Sequence, residues 1–229
     1  MRLAVMQPYL FPYLGYYQLV NSADKFVLYD DVNYIKHGYI NRNNILVSGK
    51  AQRFTIAVPG MSPNKKISEL SYDNNVKKLL KTIEQSYRKA PNFEAVFSLV
   101  SEVLLDSNRT ITNIAGNSIR EVFDYLGVHK KFYLSSEIDN DKSLNAQDRL
   151  IEMAKFLECD HYVNSPGGRD LYSKSYFSNN GVNLNFINTL PYSYNQGAID
   201  FVPNLSMIDV LMWNSKEDVC RLLKNYELK

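Results

Sequence analysis

Two rhythms share this chain: short unbroken apolar runs, and longer stretches in which apolar residues recur every three or four positions. Leu3 to Met6 is a continuous apolar run, the pattern of a strand buried on both faces. Gln7-Pro8 stops it, Pro12 and Gly15 punctuate a turn, and Tyr16 to Val20 predicts a short helix ended by Asn21-Ser22. Phe26 to Tyr29 is a second strand, and a helix joining two such strands gives the right-handed crossover of a parallel sheet. A polar loop runs from Asp30-Asp31 to Asn44. Ile45 to Val47, a turn at Ser48-Gly49-Lys50 and then Arg53 to Val58 predict a β-hairpin. A loop with four breakers follows at 59–64, and Ile67 to Tyr72 is a candidate for one more strand.

From Asn74 the period becomes helical. Val76, Leu79, Leu80, Ile83 and Tyr87 share a face, with Lys77, Lys78, Lys81 and Lys89 outside. Ala90-Pro91-Asn92 interrupts, and Phe93 to Leu104 resumes the pattern. Asn108 or Thr110 caps a third helix that Gly127 stops. Strand and helix then alternate: Phe132 to Leu134, Leu150 to Leu157, His161 to Val163, a turn at 165–168, Leu171 to Phe177, and Val182 to Ile187. Two helices close the chain, Ile208 to Trp213 and Lys216 to Tyr226, with Ser215 capping the second. The pattern predicts an α/β fold built on a doubly wound, mostly parallel sheet. It forms a single domain over 1–229, with a hairpin and loop excursion at 45–73 and a helical insertion at 74–127 packed on it.

Composition narrows the function classes. The chain has 229 residues, 45% of them apolar and 22% charged, which is the make-up of a soluble globular protein with one large core. A net charge of +2 without a block of like charges gives no reason to expect a nucleic-acid partner. No apolar stretch approaches the ~20 residues of a membrane span. No signal peptide precedes the first strand, so a cytoplasmic location is the default expectation. Cys159 and Cys220 lie far apart in apolar helical contexts and read as small buried hydrophobes, with no disulfide and no metal site expected. The 17 tyrosines suit either a tyrosine-rich core or pockets for sugars and other polar ligands.

Candidate chemistry gathers at the carboxyl ends of the strands, where open α/β sheets bind ligands. Asp30-Asp31 ends the second strand; adjacent strand residues point to opposite faces, so at most one acid is expected in the site. Lys36, Asn41, Arg42 and Asn43 follow, and lysine with arginine suits a diphosphate. Alternatively, Arg42 pairs with Asp30 or Asp31 and holds the loop. His37 is either a general base or an exposed loop side chain. Asn145 to Arg149 opens a helix, as an anion site or as an ordinary cap. Asn164 to Asp170 is a glycine-rich turn after a strand, and Asn204 and Ser206 precede a helix that either could cap. The turn from Phe11 to Tyr16 is similar to the first glycine turn of nucleotidylyltransferases and pantothenate synthetases, with Tyr16 where those enzymes carry a histidine. The polar loop and this early turn are expected to converge on one cavity.

Five separated segments carry a wider resemblance. They are MQPYLFPYLGY at 6–16, YDDVNYIKHGYINRN at 29–43, AQDR at 146–149, NSPGGRDLY at 164–172 and FVPNLSMIDVL at 201–211. On these the chain resembles the WbqC-like protein family, found in bacterial O-antigen and other surface-polysaccharide loci. The resemblance implies attachment of an amino-acyl or acyl group to a nucleotide-linked amino sugar. By position it points to Gln7, Pro8, Tyr13, Gly15, Asp30, Asp31, Lys36, Asn41, Arg42 and Asn43, then to Gln147, Asp148, Arg149, Asn164, Gly167, Gly168 and Tyr172, and last to Asn204, Ser206 and Asp209. Of these, Asp30, Asp31, Lys36 and Arg42 are the expected catalytic residues, and Gln7, Tyr13, Gly15, Asn41, Asn43, Gln147, Arg149, Asn164, Gly167, Gly168, Asn204 and Ser206, with Tyr16 of the early turn, the expected substrate-binding ones. The substrate is then a sugar nucleotide, and the acyl donor uses ATP or an acyl carrier, either CoA or a carrier protein. Two alternatives stand beside this: an ATP-dependent adenylate-forming transferase resembling pantothenate synthetase, and a non-catalytic sugar-nucleotide-binding partner of a glycosyltransferase.

Overall fold

The first apolar run is strand β1 (Arg2–Met6), and the sheet is laid down to both sides of it. The computed structural model describes residues 1–198 and 200–229. Helix α1 (Leu14–Ser22) leads to β2 (Lys25–Leu28), which pairs parallel with β1. The chain then leaves the sheet through a hairpin, β3 (Arg42–Val47) and β4 (Lys50–Thr55), and three helices, α2 (Lys77–Tyr87), α3 (Phe93–Leu105) and α4 (Ile111–Leu126). It returns as β5 (Lys131–Leu134), parallel beside β2. Helix α5 (Ala146–Phe156) crosses back over the sheet to β6 (His161–Asn164), on the other side of β1. Helix α6 (Lys174–Asn179), β7 (Asn183–Thr189), α7 (Met207–Trp213), α8 (Lys216–Leu222) and β8 (Tyr226–Leu228) complete the chain. The order is β5-β2-β1-β6-β7-β8, parallel except for β8, with β3 and β4 a separate antiparallel pair. The winding direction reverses between β1 and β6, so their carboxyl ends define the topological switch point of a Rossmann-like sheet.

Strand alternation sorts the core into two layers. Ala4, Phe26, Leu28 and Val163 face α1, α4 and α7, together with the interior of the hairpin and helical block. Leu3, Val5, Val27, Tyr162 and Leu184 face α5 and α6 through Leu150, Met153, Ala154 and Phe177. One-residue alternation thus puts neighbouring strand residues into different cores, as expected of a sheet covered on both faces.

Four local expectations change. The hairpin turn is the two residues Ser48 and Gly49, at φ 49° and 75°, and β3 begins three residues earlier than expected, at Arg42. Two positive φ values in succession match the strand twist, and glycine takes the second without strain. Ile67 to Tyr72 is not a strand. Glu69 accepts the Lys66 N–H and tightens 67–69 into a 3-10 turn, while Ile67 and Ser68 donate to the carbonyls of Val32 and Asp30. Only Ser71 forms a bridge, to Thr110. The helix expected from Leu171 begins at Lys174, because Leu171 and Tyr172 both donate back to the Gly168 carbonyl before Ser173 caps it. The last helix stops at Leu222, and Tyr226–Leu228 pairs antiparallel with β7.

Candidate functional site

At the exit of β1, half-buried Gln7 leads into a turn whose backbone is held from four sides. The Tyr16 hydroxyl donates to the Gln7 carbonyl (2.8 Å), and the Phe11 N–H donates to Ser118 Oγ (2.9 Å). The Phe11 carbonyl accepts from both Asn43 Nδ2 (2.6 Å) and Ser206 Oγ (2.7 Å), which fills its two lone pairs. The Met207 N–H, one residue after the Ser206 cap of α7, donates to the Pro12 carbonyl (2.8 Å). Phe11 sits at φ 40°, a conformation that this many contacts can hold. The exposed Tyr13 ring folds over Gly15, where a Cβ would lie 2.5 Å from Tyr13 Cε2. Tyr16, Asn43 and Ser206 are therefore turn scaffold, their polar groups taken by backbone. The buried Tyr16 phenol, bonded to Gln7, does not present itself to a phosphate in the place of a histidine.

The loop after β2 does meet this turn. Leu10 donates to the Tyr39 carbonyl (3.3 Å), and the Tyr9 ring packs against those of Tyr16 and Tyr39. Contact runs through Asn43 and Tyr39, however, and not through Arg42. Arg42 turns back on its own loop, with Nε donating to the Gly38 carbonyl (2.9 Å) and Nη2 to that of His37. It pairs with neither Asp30 nor Asp31. Asn41 Nδ2 donates to the Ile56 carbonyl (2.8 Å) and fastens the hairpin base. Lys36 and His37 are exposed, His37 at φ 66°, and neither forms an ion pair among the described residues.

The paired acids straddle the sheet edge. Both are buried, and both close on Ser135, the residue after β5. Ser135 Oγ lies 2.6 Å from Asp31 Oδ1 and 3.1 Å from Asp30 Oδ1, so its single proton goes to the nearer acid. Asp30 turns to the α4 layer. It accepts from Thr112 Oγ1 (3.2 Å), Ser136 N–H (3.0 Å) and Ser136 Oγ (2.9 Å). Asp31 turns to the α5 layer, where Arg149 Nη2 stands 2.5 Å and Lys142 Nζ 3.4 Å from its Oδ2. Burial acts to raise the Asp31 pKa, but the Ser135, Arg149 and Lys142 contacts outweigh it and hold the carboxyl below its ordinary value. Every oxygen of the two acids accepts from a protein donor, so together they tie the carboxyl end of β2 to Ser135 and to the α4 and α5 layers.

Behind Asp31 the α5 face carries the remaining sequence candidates. The Arg149 guanidinium covers the Tyr29 ring at 4.9 Å from its centroid and donates to the Tyr29 hydroxyl (3.3 Å). Asn145 caps α5 through the N–H groups of Gln147 (3.0 Å) and Asp148 (3.1 Å), and Gln147 Oε1 accepts from the Ser173 N–H (3.0 Å). That helix end is closed by its own side chains. At the end of β6, buried Asn164 accepts the Ser165 N–H (2.7 Å) and lies directly over Gly168. A Cβ on Gly168 would come within 2.6 Å of Asn164 Nδ2 and 3.1 Å of the Tyr172 ring. Gly167 is exposed beside it, and exposed Asn204 sits apart, at φ 60° ahead of α7.

Gln7, Asn164, Gly167, Gly168 and Arg149 with Asp31 thus share the carboxyl edge around the switch point. Arg42, Asn41, Asn43, Ser206 and Gly15 belong to the hairpin side. Tyr172, the last residue of the 164–172 segment, packs beside Gly168, while sequence reasoning missed Ser135, Thr112, Lys142 and Tyr29, whose meeting depends on a strand order not written in local pattern. It also missed Tyr87, Tyr194 and Gln196, which surround the fully buried Asp209. Asp209 accepts from Tyr87 OH (2.8 Å), Tyr194 OH (2.9 Å) and Gln196 Nε2 (3.1 Å), and burial pushes its pKa up to about 6. Among the described residues no group of three His, Cys, Asp or Glu side chains is placed to hold a metal, and no helix is long and apolar enough to cross a membrane.

A model of the WbqC-like protein family matches residues 7–220. An uncharacterized protein of Mycobacterium tuberculosis, Rv1507c, is 24% identical over 215 residues, which cover 92% of either chain. No solved structure matches.

Proposed function

The chain belongs to the WbqC-like protein family, and we propose that it is a cytoplasmic transferase of O-antigen or related surface-polysaccharide synthesis. Its substrate is a nucleotide-linked amino sugar, to whose amine it attaches an amino-acyl or acyl group. One observation supports the ligand class above others. The β1–β6 switch point of a Rossmann-like sheet is lined by Gln7 and Asn164, with a glycine turn directly after β6 and a fixed Asp31–Arg149 pair beside it. That is where such sheets accept nucleotides.

In this reading the sugar nucleotide lies over Asn164 and the 166–168 turn, where the absence of a Cβ at Gly168 leaves room for the Asn164 amide. Lys142, half-exposed, and Lys36, exposed, are the cations that meet the diphosphate, while Arg149 is neutralised by Asp31 and the pair fixes the floor beside them. The acyl donor arrives activated, as a thioester on CoA or a carrier protein, or as an adenylate formed from ATP. The sugar amine forms the new C–N bond, the thiolate or AMP leaves, and the amine proton passes to solvent. Lys142, the accessible cation beside the Asp31–Arg149 pair, stabilises the oxyanion formed between these events.

Calorimetric titration of the chain with a panel of sugar nucleotides tests the reading. Saturable binding of an amino-sugar nucleotide, lost in Asn164→Ala and retained in Arg42→Ala, is the expected result. Absence of saturable binding by every member at millimolar ligand overturns it.

A further inference from the structure

Away from the sheet edge, a cavity of about 600 Å³ opens between the hairpin tip at 48–49, the end of α2 and the end of α7. It shares no residue with the sheet-edge site, its back wall being the Tyr87 and Gln196 that hold Asp209, and its size is that of a small-molecule pocket. One wall is Trp213, the sole tryptophan of the chain. The indole lies so close on Gly197 that a Cβ there would fall 2.2 Å from Trp213 Cη2, and its Nε1 is buried without a partner among the described residues. The rim carries Arg88 and Lys89, both exposed and neither in an ion pair among the described residues.

Among the described residues no carboxylate lines this cavity. The surrounding segment is strongly one-sided: residues 42–90 contain ten Lys and Arg against three Asp and Glu, although the whole chain is only +2. The back wall is rigid. Tyr87 and Gln196 both line the cavity, and both donate from behind it to buried Asp209 (2.8 and 3.1 Å). An indole wall, amide and hydroxyl groups and two unpaired cations make a defined combination. A flat apolar ring suits the C–H face of a pyranose, and the cations suit an anionic substituent on it.

We propose that this cavity is a second ligand site, which takes an anionic sugar with its ring against Trp213 and its phosphate or carboxylate at Arg88 and Lys89. The site is independent of whether the sheet edge takes a nucleotide-linked sugar.

Because Trp213 is the sole tryptophan, its emission, excited beyond the tyrosine band, reports this cavity directly. The full chain is titrated with glucose 1-phosphate, glucuronate, glucose and inorganic phosphate, with calorimetry on the same samples to detect binding that leaves the emission unchanged. Saturable binding of glucose 1-phosphate or glucuronate, with glucose and inorganic phosphate much weaker, is expected. A stronger response to one of the two separates phosphate from carboxylate as the preferred anion. The double variant Arg88→Gln/Lys89→Gln, at exposed positions, should weaken that binding about tenfold or more, since each lost charge-assisted contact counts. Asn164→Ala should leave it unchanged, which separates this site from the sheet edge. The proposal is overturned by no saturable binding of either anionic sugar. It is equally overturned if inorganic phosphate binds as tightly, or if the double variant keeps full affinity and loses only stability, which would assign both cations to the helix end.

Discussion

Arg149 Nη2 stands 2.5 Å from Asp31 Oδ2, joining the first turn of α5 to the end of β2 across 118 residues of chain. Both side chains are almost wholly removed from solvent, and the Tyr29 ring underlies the guanidinium. A buried pair of this kind is costly to break from one side, because the partner left behind keeps its charge without water or counter-ion. The contact therefore fixes where the carboxyl edge of the sheet meets the α5 layer.

Arg149→Met should destabilise the chain by about 3–5 kcal/mol, since Asp31 then keeps only Ser135 and the half-exposed Lys142. Adding Asp31→Asn should restore part of the loss, and urea unfolding of the four proteins of the cycle measures the coupling. The pH sign follows from the depressed carboxyl. Its stabilising effect is complete above the unfolded pKa and disappears as pH falls through the lower folded value. Arg149→Met should accordingly begin acid unfolding at a higher pH than the parent. Equal acid profiles would show that Arg149 contributes nothing to the state of Asp31.

Neighbouring glycines at the β6 turn should behave differently. Gly168→Ala drives a methyl to within 2.6 Å of Asn164 Nδ2, so Asn164 or the turn must shift, at about 1–3 kcal/mol. Gly167→Ala meets nothing nearer than Ser165 Oγ at 4.0 Å and should fall within about 0.5 kcal/mol of the parent. Thermal melts compare the two. Sugar-nucleotide titration should show the same order, with Gly168→Ala weakened and Gly167→Ala unaffected.

The Phe11 carbonyl accepts from Asn43 and Ser206 together. Asn43→Ala and Ser206→Ala should each cost about 1–3 kcal/mol, Ser206 losing its helix cap as well. The double variant should cost more than the sum, because only then is the buried carbonyl left without a side-chain donor. Strict additivity in denaturant unfolding would mean that the two donors act separately and that the turn does not depend on their sharing.

The sequence made the elements legible wherever their pattern is local. The strands from Leu3, Phe26 and Phe132 and the Thr110 cap follow from apolar period and breaker residues. The sheet-edge contacts follow from strand order, which local pattern does not encode. Ser135 reaches Asp30 and Asp31 because β5 lies beside β2, and nothing between residues 31 and 135 announces that neighbour. Arg42 looked free in a loop because β3 was expected to begin later; as the first residue of β3, it instead braces the loop behind it. The short edge strand β8 has three residues and takes its order from β7, so its own pattern could not reveal it. The Asp209 cluster draws on α2, α7 and the 194–196 segment, which only tertiary packing brings together.

Asp209 offers a pH test of opposite sign to Asp31. It is fully buried and has no cation among its hydrogen-bond partners; burial raises its pKa to about 6, with the Tyr87, Tyr194 and Gln196 bonds acting in the other direction. The unfolded chain has an ordinary aspartate, near 3.9. Between these values the folded state binds the extra proton, so the contribution to stability is complete below about pH 4 and is lost as pH rises through about 6. A gap of about two units corresponds to roughly 3 kcal/mol at most. Asp31 changes stability in the opposite sense on the acid side of its unfolded value, so the parent profile alone does not isolate the effect. The difference between the parent and Asp209→Asn does. The amide of that variant is not ionisable and presents one acceptor oxygen where Tyr87 and Tyr194 both donate, so the variant should be less stable at pH 4 by the lost bonds. That deficit should then shrink by a few kcal/mol as pH rises to 7, because only the parent must ionise a buried acid. A deficit that stays constant from pH 4 to 7 in urea unfolding would show that Asp209 titrates as an ordinary carboxylate.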